Sequence, residues 1–341
     1  MQFLMLDRAD FEYGVAAEVA PGVRRVIARN PSKFTYHGTG TYIVGDGPVA
    51  VVDPGPDLDQ HRDALATALE GHDVEAILVT HCHADHSPLA AWLKSETGAP
   101  TYAFGPHAAT TESWDLGSLP DEFGVVPEDQ ADDDGGLDLD EPEGMPKMEE
   151  STDLGFVPDV EVRTGDEFTF GIGDVSTVVR ATHTPGHTSN HTCFSASVAS
   201  APSGTAPVLF PGDHVMGWST TVVSPPDGDM AAYIDSLRRV AEMEHSVALP
   251  THGPPITDPS GFIGGLVEHR LDRERQVLGA IERGLVTIPD MVTELYAAVR
   301  VALHRPAAFS VLGHLVKLVD EGQVTTHDHG RARLDATYSL A

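Results

Sequence analysis

The hexapeptide His81-Cys82-His83-Ala84-Asp85-His86 places three imidazoles and one carboxylate directly behind the apolar run Val74 to Thr80. Such a cluster constrains the fold, because its donors need further ligands from elsewhere in the chain. Side chains alternate along an extended segment, so His81 and His83 point to one side and Cys82 to the other. Asp85 and His86 follow where the chain turns toward a helix, and can face a second metal ion. Imidazole with carboxylate suits zinc, and the same nitrogen and oxygen donors also serve manganese and iron.

Three later points supply more donors, each at the end of an apolar run. His187 lies in Thr184-Pro185-Gly186-His187-Thr188, Asp213 in Phe210-Pro211-Gly212-Asp213-His214, and His252 in Leu249-Pro250-Thr251-His252-Gly253. The recurring order is strand, Pro/Gly turn, ligand. Glycine lets the backbone turn sharply beside an ion.

These residues resemble the metallo-β-lactamase superfamily, whose pattern is H-x-H-x-D-H, a later His, a bridging Asp and a last His. The resemblance runs over roughly residues 20 to 285. It implies one metal site of His81, His83, His187 and Asp213, and a second of Asp85, His86, Asp213 and His252, with Asp213 bridging two zinc ions. Asp53, in Val51-Val52-Asp53-Pro54-Gly55, matches an acidic loop that in the family supports ligands. The stretches Thr39 to Gly45 and Gly217 to Val223, with His269-Arg270 and Arg273-Glu274, resemble a particular branch. That branch contains the mitochondrial endoribonuclease β-lactamase-like protein 2 and thioesterases that act with polyketide synthases. Gly40 stands where the branch often has Asn, which bears on substrate choice.

The expected activity is that of a dinuclear metal-dependent hydrolase in which a metal-bound hydroxide attacks an ester or thioester. Two ions about 3.5–4 Å apart bring a shared water's pKa toward neutrality and stabilise charge developing on a substrate oxygen. Asp85 is the candidate to orient the nucleophile and take its proton, beyond serving as a ligand. His191, four residues after His187, is a candidate to donate to a substrate oxygen or to support a ligand. His183 and His214 flank ligands and read as structural, as does Cys82. Phosphodiester hydrolysis, as in an endoribonuclease, is the alternative, and promiscuous β-lactam hydrolysis a further one. A bridging Asp213 resembles the thioesterases and nucleases of the superfamily more than its dedicated β-lactamases.

The formal charge of −31 repels polyanions over the general surface. A small ester or thioester is therefore the expected partner, with RNA as the alternative. Asp115 to Asp159 holds 16 acidic residues against Lys147 alone. With few large apolar residues, it reads as an irregular acidic insertion: a solvated loop, a lid over the metals or an oligomer contact. Cys82 and Cys193 are the two cysteines, too few for a disulfide framework, and a reducing cytoplasm is the expected setting. Met1 to Ala16 lacks the basic and long apolar regions of a signal peptide. No apolar run approaches the ~18–20 residues of a membrane span.

Strands are expected at Val23–Ile27, Thr41–Val44, Ala50–Val52 and Val74–Val79, and near Thr101, Glu161, Phe168, Val175, Thr192, Pro207 and Val247. Helices are expected at Leu58–Leu69, Ser87–Ser95, Met230–Glu244 and Phe262–Arg283. With the resemblance, this implies an α/β fold: a four-layer αββα sandwich in residues 1–260, followed by a linker helix and a small winged-helix-like domain in 261–341. In that unit, helices at Met291–Val299 and Ala307–Asp320 precede an expected hairpin of Val324–Thr326 with Arg331–Leu334 around Asp328-His329-Gly330. Its second helix offers Lys317 balanced by Asp320 and Glu321, a poor footprint for DNA. A packing or substrate-wall role is expected instead.

Overall fold

The computed structural model describes residues 2–107, 119–120, 123, 151–299, 301–328 and 330–341. Most of the acidic insertion, with its expected lid or oligomer role, lies outside the described residues.

Among the described residues, seven strands form the first sheet: β1 (Ala17–Ala20), β2 (Val23–Ile27), β3 (Gly40–Val44), β4 (Val49–Val52), β5 (Val74–Leu78), β6 (Thr101–Ala103) and β7 (Val160–Glu161), in that spatial order. The first four pair antiparallel, and β4 to β7 pair parallel. Short β1 escapes the sequence reading because its four residues are exposed or half-buried and carry no apolar run. The second sheet contains β8 (Glu167–Phe170), β9 (Thr177–His183), β10 (Thr192–Val198), β11 (Val208–Phe210) and β12 (Val247–Ala248), in the spatial order β12-β11-β10-β9-β8.

Three apolar clusters define four layers. Tyr42, Val44, Val52 and Leu78 of the first sheet pack on Val179, Phe194 and Phe210 of the second. On the outer face of the first sheet, Ile43, Val51 and Ile77 meet Leu65 of helix α1 (Asp59–Ala68) and Leu89 and Leu93 of α2 (Leu89–Thr97). On the outer face of the second, Cys193 and Leu209 meet Tyr233, Ile234 and Leu237 of α3 (Met230–Ala241) and Ile263 and Leu266 of α4 (Pro259–Glu282). Alternate strand residues thus serve opposite faces, as pleating requires. Full burial of a side chain such as Phe210 contributes about 2–3 kcal/mol.

The 24-residue α4 is shared. Its first half packs on α3, and Val277, Ala280 and Ile281 enter a fourth cluster with α5 (Ile288–Leu295) and α6 (His304–Asp320). Leu119 and Phe123 from the insertion join that cluster. Thr287 caps α5 through the Asp290 amide, with Pro289 in the first turn.

The expected C-terminal hairpin needs correction. β13 (Val324–Thr326) pairs with β14 (Tyr338–Leu340), not with Arg331–Leu334. Ala332 and Leu334 are buried in the domain core, which produces the alternating pattern that resembles a strand. The intervening loop is closed by Tyr338, whose hydroxyl donates to Arg333 O at 2.6 Å and accepts from Arg333 N at 2.9 Å. No helix among the described residues is long and apolar enough to cross a membrane.

Candidate metal centre

The donors converge because each follows the C-terminal end of a strand at one edge of the sandwich. Asp53 follows β4, His81 to His86 follow β5, His187 follows β9, Asp213 follows β11 and His252 follows β12. His81 Nε2 and His83 Nδ1 are 3.0 Å apart, and His187 Nε2 lies 3.2 Å from the same His83 atom. Cys82, between them, is buried on the opposite side in the core under α1 and α2. A second group contains Asp85, His86 and His252. Asp85 Oδ2 lies 3.4 Å from His86 Nε2 and 3.3 Å from His252 Nε2.

Asp213 stands between the groups. Its Oδ2 is 3.9 Å from His187 Nε2, and its Oδ1 is 3.6 Å from His86 Nε2 and 3.4 Å from His252 Nε2. Donors at about 2.0–2.2 Å around a tetrahedral zinc ion stand roughly 3.3–3.6 Å apart. The observed spacings straddle that range. His86 Nε2 and Asp213 Oδ1 are buried without a hydrogen-bond partner, a costly state that a coordinated cation would relieve. The residues present fit a metal ion.

The outer ring nitrogens orient the lone pairs. His187 Nδ1 donates to Val222 O at 2.6 Å, and His252 Nδ1 to Gly38 O at 3.2 Å. His86 Nδ1 donates to Asp53 Oδ2 at 2.9 Å. Thr80 Oγ1 gives its proton to Asp53 Oδ2 at 2.8 Å, which leaves it to accept from His81 Nδ1 at 3.1 Å. With Nδ1 turned outward, Nε2 of each of these four imidazoles is the atom that faces the centre.

The electrostatics differ between the groups. Burial, with mutual repulsion among the imidazoles, pulls His81 well below the ordinary range and His83 to about 3, so both stay neutral. Burial also opposes charge on His252, but the Asp213 and Asp85 carboxylates outweigh it and raise the ring to about 10. His86 is raised against burial by Asp85, Asp213 and Asp53. The carboxylates stay ionised despite burial because these imidazoles face them. Concentrated buried negative charge is the condition a cation satisfies.

His191 is fully buried, with Nδ1 2.8 Å from Thr184 Oγ1 and its ring 5.1 Å from that of His81. Its Nε2 has no partner and lies where a side chain on Gly212 would collide. His183 is half-exposed, stacked 3.7 Å over Phe104. His214 is buried against Tyr233.

Several supporting residues carry no sequence signal of their role. Thr39 Oγ1 donates to Asp85 Oδ2 at 2.9 Å. The His252 turn is held by Tyr42 on Pro250 O, by Gly40 N on Thr251 O and by Arg25 on Gly253 O, at 2.6, 2.8 and 2.8 Å. A Cβ at Gly40 would lie 3.0 Å from Arg25 Cδ and 3.1 Å from Thr251 O, so this packing suits glycine. The returning end of the insertion is stitched to the ligand loop: Ala84 N donates to Ser151 O and Asp153 N to Cys82 O, at 3.0 and 2.7 Å.

The pattern of the metallo-β-lactamase superfamily matches residues 36–252, and that of the β-lactamase-associated winged helix domain matches 287–332. An atrochrysone carboxyl ACP thioesterase of Cryptosporiopsis sp. is 27% identical, over 82% of this chain and 73% of its own length. A β-lactamase-like protein 2 homologue of Drosophila melanogaster is 29% identical over 89% of each chain. Among solved structures, a β-lactamase domain protein from Burkholderia ambifaria shares the fold with a TM-score of 0.67 at 23% identity, covering 98% of this chain and 96% of that one. The superfamily match spans well over half of the sequence, and the chain is a hydrolase of the metallo-β-lactamase superfamily that carries a C-terminal winged helix domain.

Proposed function

We propose that the protein is a dinuclear hydrolase of carboxylic esters or thioesters, with zinc as the metal and manganese or iron as substitutes its donors also accept. The observation that carries this reading is Asp213, whose two carboxylate oxygens face different donor groups. His81, His83 and His187 would hold one ion, Asp85, His86 and His252 the other, and Asp213 both. Bound ions would lower the pKa of a shared water and polarise the substrate carbonyl. Asp85 orients the attacking water and takes its proton. His191, buried beneath the centre, supports His81 from behind. Attack at the acyl carbon releases a carboxylic acid and a thiol or alcohol.

The thioesterase relative supports an acyl substrate. The endoribonuclease reading is second, favoured by the likeness to β-lactamase-like protein 2. Charge weighs against it: −31 overall, with Lys317 in ion pairs to Glu274 and Glu321 at 2.8 Å and Arg333 paired with Asp328 and Asp335. The same reading divides the chain after residue 260, with α4 as the link. It places the protein in a cytoplasmic setting, in keeping with two buried, unpaired cysteines.

The test is a substrate panel on metal-loaded protein: acyl thioesters, a chromogenic cephalosporin and single-stranded RNA. Thioester turnover is expected, reduced at least about a hundredfold by Asp213→Ala. RNA cleavage without thioester turnover would move the assignment to the nuclease. No turnover of any substrate by protein with two bound ions would remove the hydrolase proposal as framed.

A further inference from the structure

Helix α4 lies against the loop that carries Thr221 and Val222. Arg270 is buried, and its Nη2 donates to Thr221 O. The Thr221 hydroxyl reaches Asp213 O at 2.7 Å and His214 O at 3.2 Å. The next carbonyl, Val222 O, is the one that accepts from His187 Nδ1. Tyr233 OH donates to His214 O at 2.9 Å, and the Arg270 guanidinium lies 5.3 Å over the Tyr233 ring. One guanidinium thus secures a loop on which both His187 and Asp213 depend.

A packing role does not account for this residue. Arg270 has no ion pair with a carboxylate among the described residues, and a buried cation without one is costly. A methionine would fill the same space without that cost. The Thr221 carbonyl and the Tyr233 ring face offset part of the charge, while Nε is buried without a partner, and an apolar residue could not donate to that carbonyl.

The same helix faces the C-terminal domain. One turn on, Arg273 donates to Leu295 O at 3.2 Å and lies 4.3 Å over Tyr296. Glu274 pairs with Lys317 of α6. Gly313 of α6 lies against Val223 O, where an added Cβ would sit at 3.3 Å. The C-terminal domain therefore packs on α4, and through Gly313 of α6 it meets the loop directly.

We propose that Arg270 is a positioning residue for His187 and Asp213, acting through Thr221. This rests on the metal-centre reading above. The test uses the full chain with zinc affinity by chelator competition, the visible spectrum of the cobalt-substituted protein, and thermal melting. Arg270→Met is expected to weaken zinc binding at least about tenfold and to shift the cobalt bands. Arg270→Lys should restore part of both. Arg273→Met, which removes contacts to Leu295 O, the Tyr296 ring and Gln276 but none to the Thr221 loop, should lower the melting temperature and leave zinc affinity and the cobalt spectrum unchanged.

If Arg270→Met does not fold, Thr221→Val removes the next link and should give the same zinc and cobalt changes. Unchanged affinity and spectrum in the folded variant, or equal shifts from Arg273→Met, would overturn the proposal. Wild-type protein that binds neither zinc nor cobalt would instead overturn the metal-centre reading on which it rests.

Discussion

Thr39 Oγ1 donates to Asp85 Oδ2 across 2.9 Å, joining residues 46 positions apart. Asn30 fixes that hydroxyl from the other side, donating from Nδ2 at 3.0 Å and accepting from Thr39 N at 2.9 Å. The Thr39 proton is thereby committed to the carboxylate. Thr39→Val keeps the shape and removes the donor. Zinc affinity should fall about tenfold, with little change in melting temperature. A zinc titration that matches wild type would refute this.

Asp53 accepts from Thr80 N, Thr80 Oγ1, His86 Nδ1 and Thr251 Oγ1. Asn tolerates the left-handed backbone at this position, φ 49, so Asp53→Asn isolates the carboxylate. An amide would turn a donor toward donors. Stability should drop by about 2–3 kcal/mol, and metal content after dialysis should fall with it. Urea unfolding and elemental analysis measure the two effects; full metal retention would show that His86 does not need this anchor.

Gly186, just before His187, has φ +144, and a Cβ there would lie 2.3 Å from Tyr233 Cα. Backbone of α3 cannot yield as a side chain can. Gly186→Ala should cost about 3 kcal/mol or more, and Gly71→Ala, at φ +78 with open space around it, about 1 kcal/mol. Equal losses in denaturant midpoints would mean that backbone conformation, not the close approach, sets the cost.

Burial lowers the pKa of His314 to about 4, against the pull of Glu274 and with the help of Arg270 and Arg273. The unfolded chain takes up a proton near 6.5, whereas the folded chain resists until about 4. Between those values the unfolded state binds more protons, so stability falls as pH falls. The full contribution of this one group is on the order of 3 kcal/mol. His314→Leu should flatten that part of the stability curve, read as the wild-type minus variant difference. An unchanged slope from pH 6.5 to 4 would contradict it.

The candidate donors are legible because each follows an apolar run, three of them across a Pro/Gly turn. His187, Asp213 and His252 share that grammar, and alternation along the extended backbone after β5 sends His81 and His83 one way and Cys82 the other. The misplaced hairpin has an equally local cause. Ala332 and Leu334 alternate with arginines, as a strand would, but they do so to enter the domain core, and only the position of Tyr338 reveals the true partner of β13. His61 in α1 offers no apolar signal, yet it is buried against Thr41, 2.9 Å from its hydroxyl.

The sequence by itself determined which atoms could bind metal and at which strand ends they sit, since turns and periodicity depend on near neighbours. Only the tertiary structure decided how those atoms are aimed. The partners that aim them are Val222 O for His187, Gly38 O for His252, Thr39 for Asp85 and Arg270 for the Thr221 loop. Two of these are backbone carbonyls, which every residue type possesses, and all four pair with sites 35 to 214 residues away. A hydrogen bond of that kind is set by how layers pack, and it leaves no mark on the residues beside it in the chain.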